Sequence, residues 1–333
     1  MHNFCTLFDS NYITRGLAMY KSLKKHCSNF HLFIFAFDNE SLVILKNLAL
    51  EKTTIISLQE FENAKLLAIK PTRSKAEYCW TCTSSSILYV LENYKVENCT
   101  YIDADLFFYS SPQVLFDEMG DKSVLITEHR YTKDTRSEIA GKYCVQFITF
   151  KNNENGMKIL KWWSSACIEW CYDRYEDGKF GDQKYLDHWT TQFKGVHVLQ
   201  HLGGGLAPWN IQQYEISEIN NDCLFLKTKE KQIKFEAVFF HFHYVRFDRH
   251  HLVDLGWFPL SKQIVKHFYA PYINELENAI SIIKKNNKEF KEALRPFSIQ
   301  DASGIKNKLK VVVKQITRYN LFKNKILQSQ IIS

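Results

Sequence analysis

The first hundred residues alternate between short apolar runs and longer amphipathic ones, and that alternation leaves few folds open. Residues 4–8 read as an apolar strand, 14–26 as a helix and 31–37 (His-Leu-Phe-Ile-Phe-Ala-Phe) as a second strand. Residues 53–57 continue as strand, 74–92 as a long helix, and 100–103 return to strand. This βαβ rhythm predicts an α/β fold with a largely parallel central sheet and helices on both faces. Residues 123–127 and 144–150 extend the sheet, and 156–175 form a Trp-rich helix whose aromatic stripe belongs to the core. Pro271 opens a later helix in which Ile273, Leu276, Ile280 and Ile283 share a face, and residues 286–296 read as a charged linker. Ligands of such sheets collect beyond the carboxyl ends of the strands, where Asp9 and Asp103 both fall.

Residues 100–109 read Thr-Tyr-Ile-Asp-Ala-Asp-Leu-Phe-Phe-Tyr, and this segment carries the sharpest chemical signal. At strand spacing, positions i and i+2 share a face, so Asp103 and Asp105, flanking Ala104, can approach one hard cation together. An Asp-x-Asp triplet arises by chance about once in a chain of this length, so its setting gives it weight. Two carboxylates inside an otherwise apolar stretch would cost several kcal/mol unpaired, and a bound cation is the usual compensation.

With 333 residues, 45% apolar and 15% aromatic, the chain can bury a large core. The start, Met-His-Asn-Phe-Cys-Thr-Leu-Phe-Asp, has no basic and apolar leader pattern, and no run reaches membrane-spanning length. A cytoplasmic protein is expected. Nine scattered cysteines suit reduced, buried thiols, and Cys79 with Cys82 falls inside the long helix. The net charge of +7 is concentrated in the tail, where seven Lys or Arg follow Gln300 against Asp301 alone. There Ile305, Leu309, Val312, Val313, Ile316, Tyr319 and Leu321 recur at roughly helical spacing. Such a segment either lies peripherally on an anionic inner membrane face or packs as a terminal helix. No basic, aromatic-interleaved stripe runs through the body, which argues against nucleic acid as a partner.

Leu7-Phe8-Asp9-Ser10-Asn11-Tyr12 at the first strand's end, followed by the Asp103/Asp105 pair and by Gly181-Asp182-Gln183, resembles the GT-A fold glycosyltransferases. The likeness is greatest to those related to glycogenin and bacterial lipopolysaccharide galactosyltransferases. It covers residues 4–272 and implies a Rossmann-like nucleotide-diphosphosugar transferase fold with C-terminal helices. It further implies that Asp9, Asn11 and Tyr12 hold the base and ribose of the donor, that Arg73, with Lys75 beside it, meets the diphosphate, and that Asp103, Ala104 and Asp105 line the donor site. Asp182 would hold sugar or acceptor hydroxyls and Gln183 would face the anomeric carbon. A plain reading of Asp182 as a helix cap stands beside this.

The family's last element is a histidine that completes the metal shell within His-x-x-Gly-x-x-Lys-Pro-Trp. His201-Leu-Gly-Gly-Gly-Leu-Ala-Pro-Trp fits the letters, with Ala207 at the Lys, but follows Gln183 too soon. His241-Phe-His243-Tyr244 stands at the usual distance, and alternation would put both histidines on one face, with His241 slightly favoured. His201 and Gly204 would then line the sugar, and Arg246 or Arg249 would replace the missing Lys.

These features predict an enzyme, a glycosyltransferase moving a hexose from a UDP-sugar, with Mn²⁺ or Mg²⁺, to a glycan or lipid-linked acceptor of a cell-surface polysaccharide. Retention is the family expectation. An inverting enzyme would need a base such as Asp182, Asp187, Glu128 or Asp248, and a sugar-nucleotide binding protein without turnover is the alternative from another class. The expected organisation is a catalytic domain over 1–260, a helical extension over 261–298 and a basic amphipathic tail over 299–333.

Overall fold

Period-two burial along the first strand sets the layering. In β1 (His2–Phe8), Cys5 and Leu7 face one layer of helices while Phe4 and Phe8 face the other. On the first side, the helices Lys75–Asn93 and Glu154–Glu169 bring Tyr78, Cys82, Ile87, Leu160 and Trp163 into a shared core. On the other, the helix Ile13–His26 lies so close that a Cβ on Gly16 would come 2.4 Å from the Phe8 ring. The computed structural model describes residues 1–134, 139–220, 223–247, 252–292 and 304–323.

Seven strands build the main sheet: β1, β2 (Phe30–Ala36), β3 (Thr53–Ser57), β4 (Asn98–Ile102), β6 (Val124–Glu128), β7 (Tyr143–Lys151) and β8 (Val196–Val198). Their order is β3-β2-β1-β4-β7-β6-β8. The run from β3 to β4 is parallel, and β7 runs against both its neighbours. The sheet is thus mostly parallel with helices on both faces, as the βαβ rhythm predicted. A short strand, β5 (Leu106–Phe108), leaves this sheet after the Asp103–Asp105 turn and pairs with β12 (Phe239–His241) in a two-stranded ribbon. Between them in sequence, β9 (Tyr214–Asn220), β10 (Cys223–Thr228) and β11 (Lys234–Glu236) form a separate antiparallel sheet.

The chain divides into two compact units, Met1–His241 and Phe242–Ser333. Within the second, β13 (Arg246–Phe247), β14 (Leu252–Asp254) and β15 (Leu321–Lys323) pair antiparallel. A helical stretch from Lys262 to Asn286 packs Tyr272 on Phe242 at 3.9 Å between ring centroids. That stretch starts well before Pro271, contrary to expectation. A π turn over Val265–Tyr269 precedes Pro271, and the proline occupies the first positions of the following α segment, where its missing N–H is not needed. The expected linker over 286–296 falls partly outside the described residues.

The Trp-rich helix also ends earlier than expected, at Glu169. Its last-turn carbonyls are taken by side chains from elsewhere: Arg73 donates to Ile168 and Glu169 at 3.3 and 3.4 Å, and Tyr185 donates to Ala166 and Trp170 at 3.2 and 2.8 Å. Trp163 is fully buried and stacks on Phe150, as its place in the core requires. All nine cysteines are free thiols.

Candidate metal and donor site

β4 ends at Ile102 because the next residue turns away to begin a tight bend: Asp103 N–H donates back to the Gln146 carbonyl at 3.0 Å, and Leu106 N–H closes onto the Asp103 carbonyl at 3.2 Å. This bend presents both carboxylates beyond the carboxyl end of a central strand. β12 delivers the third group, since its pairing sets His241 opposite Leu106. His241 Nε2 then lies 3.1 Å from Asp105 Oδ1 and 3.7 Å from Asp103 Oδ2. The three ligand atoms fall within 4.8 Å of one another, and among the described residues no other group of three could hold a metal ion.

The electrostatics of the cluster are those of two carboxylates sharing one buried imidazole. Burial pushes the Asp103 carboxyl up to about 7, with His241 opposing and Asp105 adding to the rise. Burial would lower the His241 imidazole, but Asp105 and Asp103 outweigh it and hold it well above its ordinary value. A proton on His241 therefore does in part what a cation would do fully. Two carboxylate oxygens and one imidazole nitrogen suit Mn²⁺ or Mg²⁺, with the remaining positions left for phosphate oxygens and water. The donor set fits a divalent cation.

Around this cluster stand Gln146 and Cys144, which the sequence reading did not single out, and Trp209, which it placed in the Gly-rich loop near the sugar. Gln146 Oε1 meets His241 Nδ1 at 2.8 Å, and Trp209 sets its ring edge-to-face on His241 with centroids 5.3 Å apart. Burial works to raise the Cys144 thiol, yet His129 and His241, both within hydrogen-bonding reach, bring it down to about 6. A signal for Gln146 did exist: it is a polar residue within the apolar run 144–150.

Asp182 is buried, and burial together with the charge of Asp103 drives its carboxyl up to about 8, while a Thr83 hydrogen bond opposes. It caps no helix. The turn of 3₁₀ helix that follows has Gln183 at its N-terminus and no side-chain cap, and Gly181, at φ +53°, sets the chain's direction into Asp182. Gln183 is half-buried.

At the end of β1, Asp9 accepts from Asn11 twice, from its backbone N–H at 3.0 Å and its amide at 2.9 Å. Asn11 and Tyr12 remain exposed, so this turn offers a half-buried carboxylate beside an aromatic ring over which Arg15 lies at 5.0 Å. Asp38 fastens it from below, accepting from Ser10 N–H at 3.0 Å and Ser10 Oγ at 2.7 Å.

Other expected residues sit differently. Arg73 stacks on Tyr172 at 3.7 Å while it binds the helix-end carbonyls, so its guanidinium is already engaged. His201 lies outside the acidic cluster; its Nδ1 accepts from Gly203 N–H at 3.2 Å, and burial lowers its imidazole. His243 is exposed, because β12 stops at His241 and the alternation that would have paired the two rings ends with it. Ala207 is fully buried, and Arg246, in the second unit, lies 3.9 Å over the Tyr244 ring. Arg249 and Asp248 fall outside the described residues. Gly204 is buried within a loop clasped by Arg130, which donates to the carbonyls of Leu199, His201, Leu202 and Gly204.

The chain is similar over its fold to WbbM, a bifunctional glycosyltransferase, with a TM-score of 0.50 and 12% identity across 86% of this chain and 52% of that one. The chain thus spans about half the length of WbbM. Fold and sheet order together define a mixed α/β protein with a GT-A type fold. It is 32% identical over 223 residues to the uncharacterized protein YfnF of Bacillus subtilis (strain 168), covering 64% of this chain and 74% of YfnF, and it belongs to the same family as that protein. The uncharacterized protein YfnD of the same organism is 28% identical over 301 residues, covering 88% of this chain and 94% of YfnD. No family model matches the chain.

Proposed function

We propose that the chain is a metal-dependent glycosyltransferase that moves a hexose from a UDP-sugar to a glycan or lipid-linked acceptor, with retention, in cell-surface polysaccharide synthesis. One observation carries the reading: Asp103, Asp105 and His241, far apart in sequence, converge at the end of a central strand of a GT-A type sheet. Mn²⁺ or Mg²⁺ held there would neutralise the charge that develops on the departing diphosphate. Asp9, Asn11 and Tyr12 would hold the base and ribose. Asp182 and Gln183 would border the transferred sugar, where a carboxyl held up to about 8 stays largely protonated at neutral pH and can donate to a sugar hydroxyl. His201, Ala104 and Gly204 complete the donor surroundings in this reading, and Arg73 contributes through the helix end that it fastens. The acceptor attacks from the leaving group's side, so a diphosphate oxygen takes its proton and no protein base is required.

Purified protein supplied with Mn²⁺ and a panel of UDP-sugars is expected to release UDP, and Asp103→Asn or Asp105→Asn to abolish the release. Wild-type rates in those variants would remove the metal role. Binding of UDP-sugars without release or transfer across the panel would instead identify a sugar-nucleotide binding protein.

We further propose that the basic tail touches an anionic membrane surface. No helix among the described residues is long and apolar enough to cross a membrane. The helix Ile305–Thr317 exposes Ile305, Leu309, Val313 and Ile316, with Lys308 and Arg318 exposed near them, which suits shallow contact with acidic headgroups. Sedimentation with phosphatidylglycerol vesicles is expected for the wild type and lost on changing Ile305, Leu309 and Ile316 to Ser. Equal sedimentation of both proteins would dismiss the contact.

A further inference from the structure

Gln146 touches two of the three metal-capable groups at once. Its backbone carbonyl accepts the Asp103 N–H at 3.0 Å, which fixes the bend that carries both carboxylates. Its side-chain Oε1 lies 2.8 Å from His241 Nδ1. The residue is fully buried in β7, and the loop glycine Gly205 lies against its side chain, where a Cβ would come 3.2 Å from the Gln146 amide nitrogen.

The consequence follows from imidazole chemistry. A neutral histidine has one N–H and one lone pair, and the partner of one nitrogen decides which nitrogen is left to bind a cation. An amide oxygen can only accept, so Oε1 at 2.8 Å requires the proton on Nδ1. When the proton that the carboxylates hold on Nε2 gives way to a cation, Nε2 becomes the lone-pair nitrogen, and it is the one that faces Asp103 and Asp105. We infer that Gln146 is the positioning residue of the metal site, setting the tautomer and ring orientation of His241 through its side chain while its backbone holds the Asp103 bend in register. This rests on the metal reading of the cluster proposed above. Because β7 supplies the backbone contact whatever its side chain, substitution at 146 isolates the amide's effect on His241.

The test measures Mn²⁺ binding directly, by the loss of the free-ion EPR signal on titrating metal into the protein with UDP present. Gln146→Met keeps the length of the side chain and removes the acceptor; Gln146→Glu keeps an acceptor. The inference predicts Mn²⁺ affinity weakened about 10- to 100-fold in Gln146→Met, the usual cost of losing such an outer partner, and wild-type or tighter binding in Gln146→Glu. Wild-type affinity in a folded Gln146→Met protein would overturn it, as would equal losses in both variants. A second measurement needs no variant: long-range ¹H–¹⁵N spectra of the Mg²⁺-loaded wild type should show His241 protonated at Nδ1, and protonation at Nε2 would refute the assignment. Failure of the wild type itself to bind Mn²⁺ or Mg²⁺ would overturn the underlying metal reading, whereas binding abolished by His241→Ala but untouched by Gln146→Met would overturn the role of Gln146 alone.

Discussion

Asp182 feels the charge of Asp103, brought to it from a segment nearly eighty positions away, and burial pushes both carboxyls up, to about 8 and about 7. A carboxyl raised above its unfolded value keeps a proton that the unfolded chain has lost, so its contribution to stability declines as pH climbs from the ordinary carboxylate range through the raised value. The raised His241 imidazole acts in the same direction, since its stabilising contribution is present below the usual imidazole value and fades above it. The metal-free protein should therefore lose thermal stability between about pH 5 and about pH 8, while the stabilisation added by Mn²⁺ grows over that window as the ligands shed protons. Melting curves with and without Mn²⁺ check this. An unchanged slope in Asp103→Asn would show that the trend arises elsewhere.

Lys314 is buried in the second unit, where its ammonium pairs with Asp254 and donates to the Gly256 carbonyl at 2.8 Å. Removing one partner of such a pair leaves an uncompensated charge. Asp254→Ala is expected to cost about 3–5 kcal/mol, and Asp254→Leu combined with Lys314→Met, which removes both charges together, much less. Denaturant unfolding of the two variants gives the comparison, and similar losses would contradict it.

Gly203 has no room for a side chain: a Cβ would lie 1.8 Å from the Glu236 carbonyl oxygen. The Gly203 carbonyl accepts from Val238 and Phe239 N–H at 3.0 and 3.2 Å, at the start of the strand that ends in His241. Gly203→Ala should destabilise by about 3 kcal/mol, at the upper end of overpacking costs. It should also weaken Mn²⁺ binding, because β12 must shift. Equilibrium unfolding and metal titration of the same protein test both parts.

Asp38 serves two structures, capping the helix Asn39–Leu48 through Ser41 N–H at 2.7 Å and holding Ser10 in the turn after β1. Asp38→Ala should cost about 1 kcal/mol for the cap. If the turn holds the donor base, KM for the UDP-sugar rises while kcat changes little. An unaltered KM would place the base elsewhere.

The alternation of apolar and amphipathic runs carried the reading of the central sheet. β3 falls where expected, and the helix Lys75–Asn93 starts behind the Ser74 and Glu77 capping box that its sequence displays. The separate β9–β11 sheet escaped notice because β9 and β11 are largely exposed and charged, and only the four-residue run 223–226 in β10 is apolar. The early end of the Glu154–Glu169 helix was equally hidden, since Arg73 and Tyr185, which bind its final carbonyls, come from other parts of the chain. In the site, Asp103 and Asp105 were visible as charges in an apolar run. The choice between His241 and His243 was not, because it depends on where a strand stops pairing. Gln146 matters only through its register against β4, which a linear reading does not contain.

The ribbon of β5 and β12 is a small appendage, three residues on each side, yet it bears the only imidazole that reaches the acidic bend of the large sheet among the described residues. A divalent ion seated there would act as a rivet between appendage and sheet, so chelation should loosen β12 before it disturbs the remaining strands. Amide exchange at Phe240 and His241 would then quicken on adding EDTA, turning the smallest sheet in the first unit into a built-in reporter of metal occupancy.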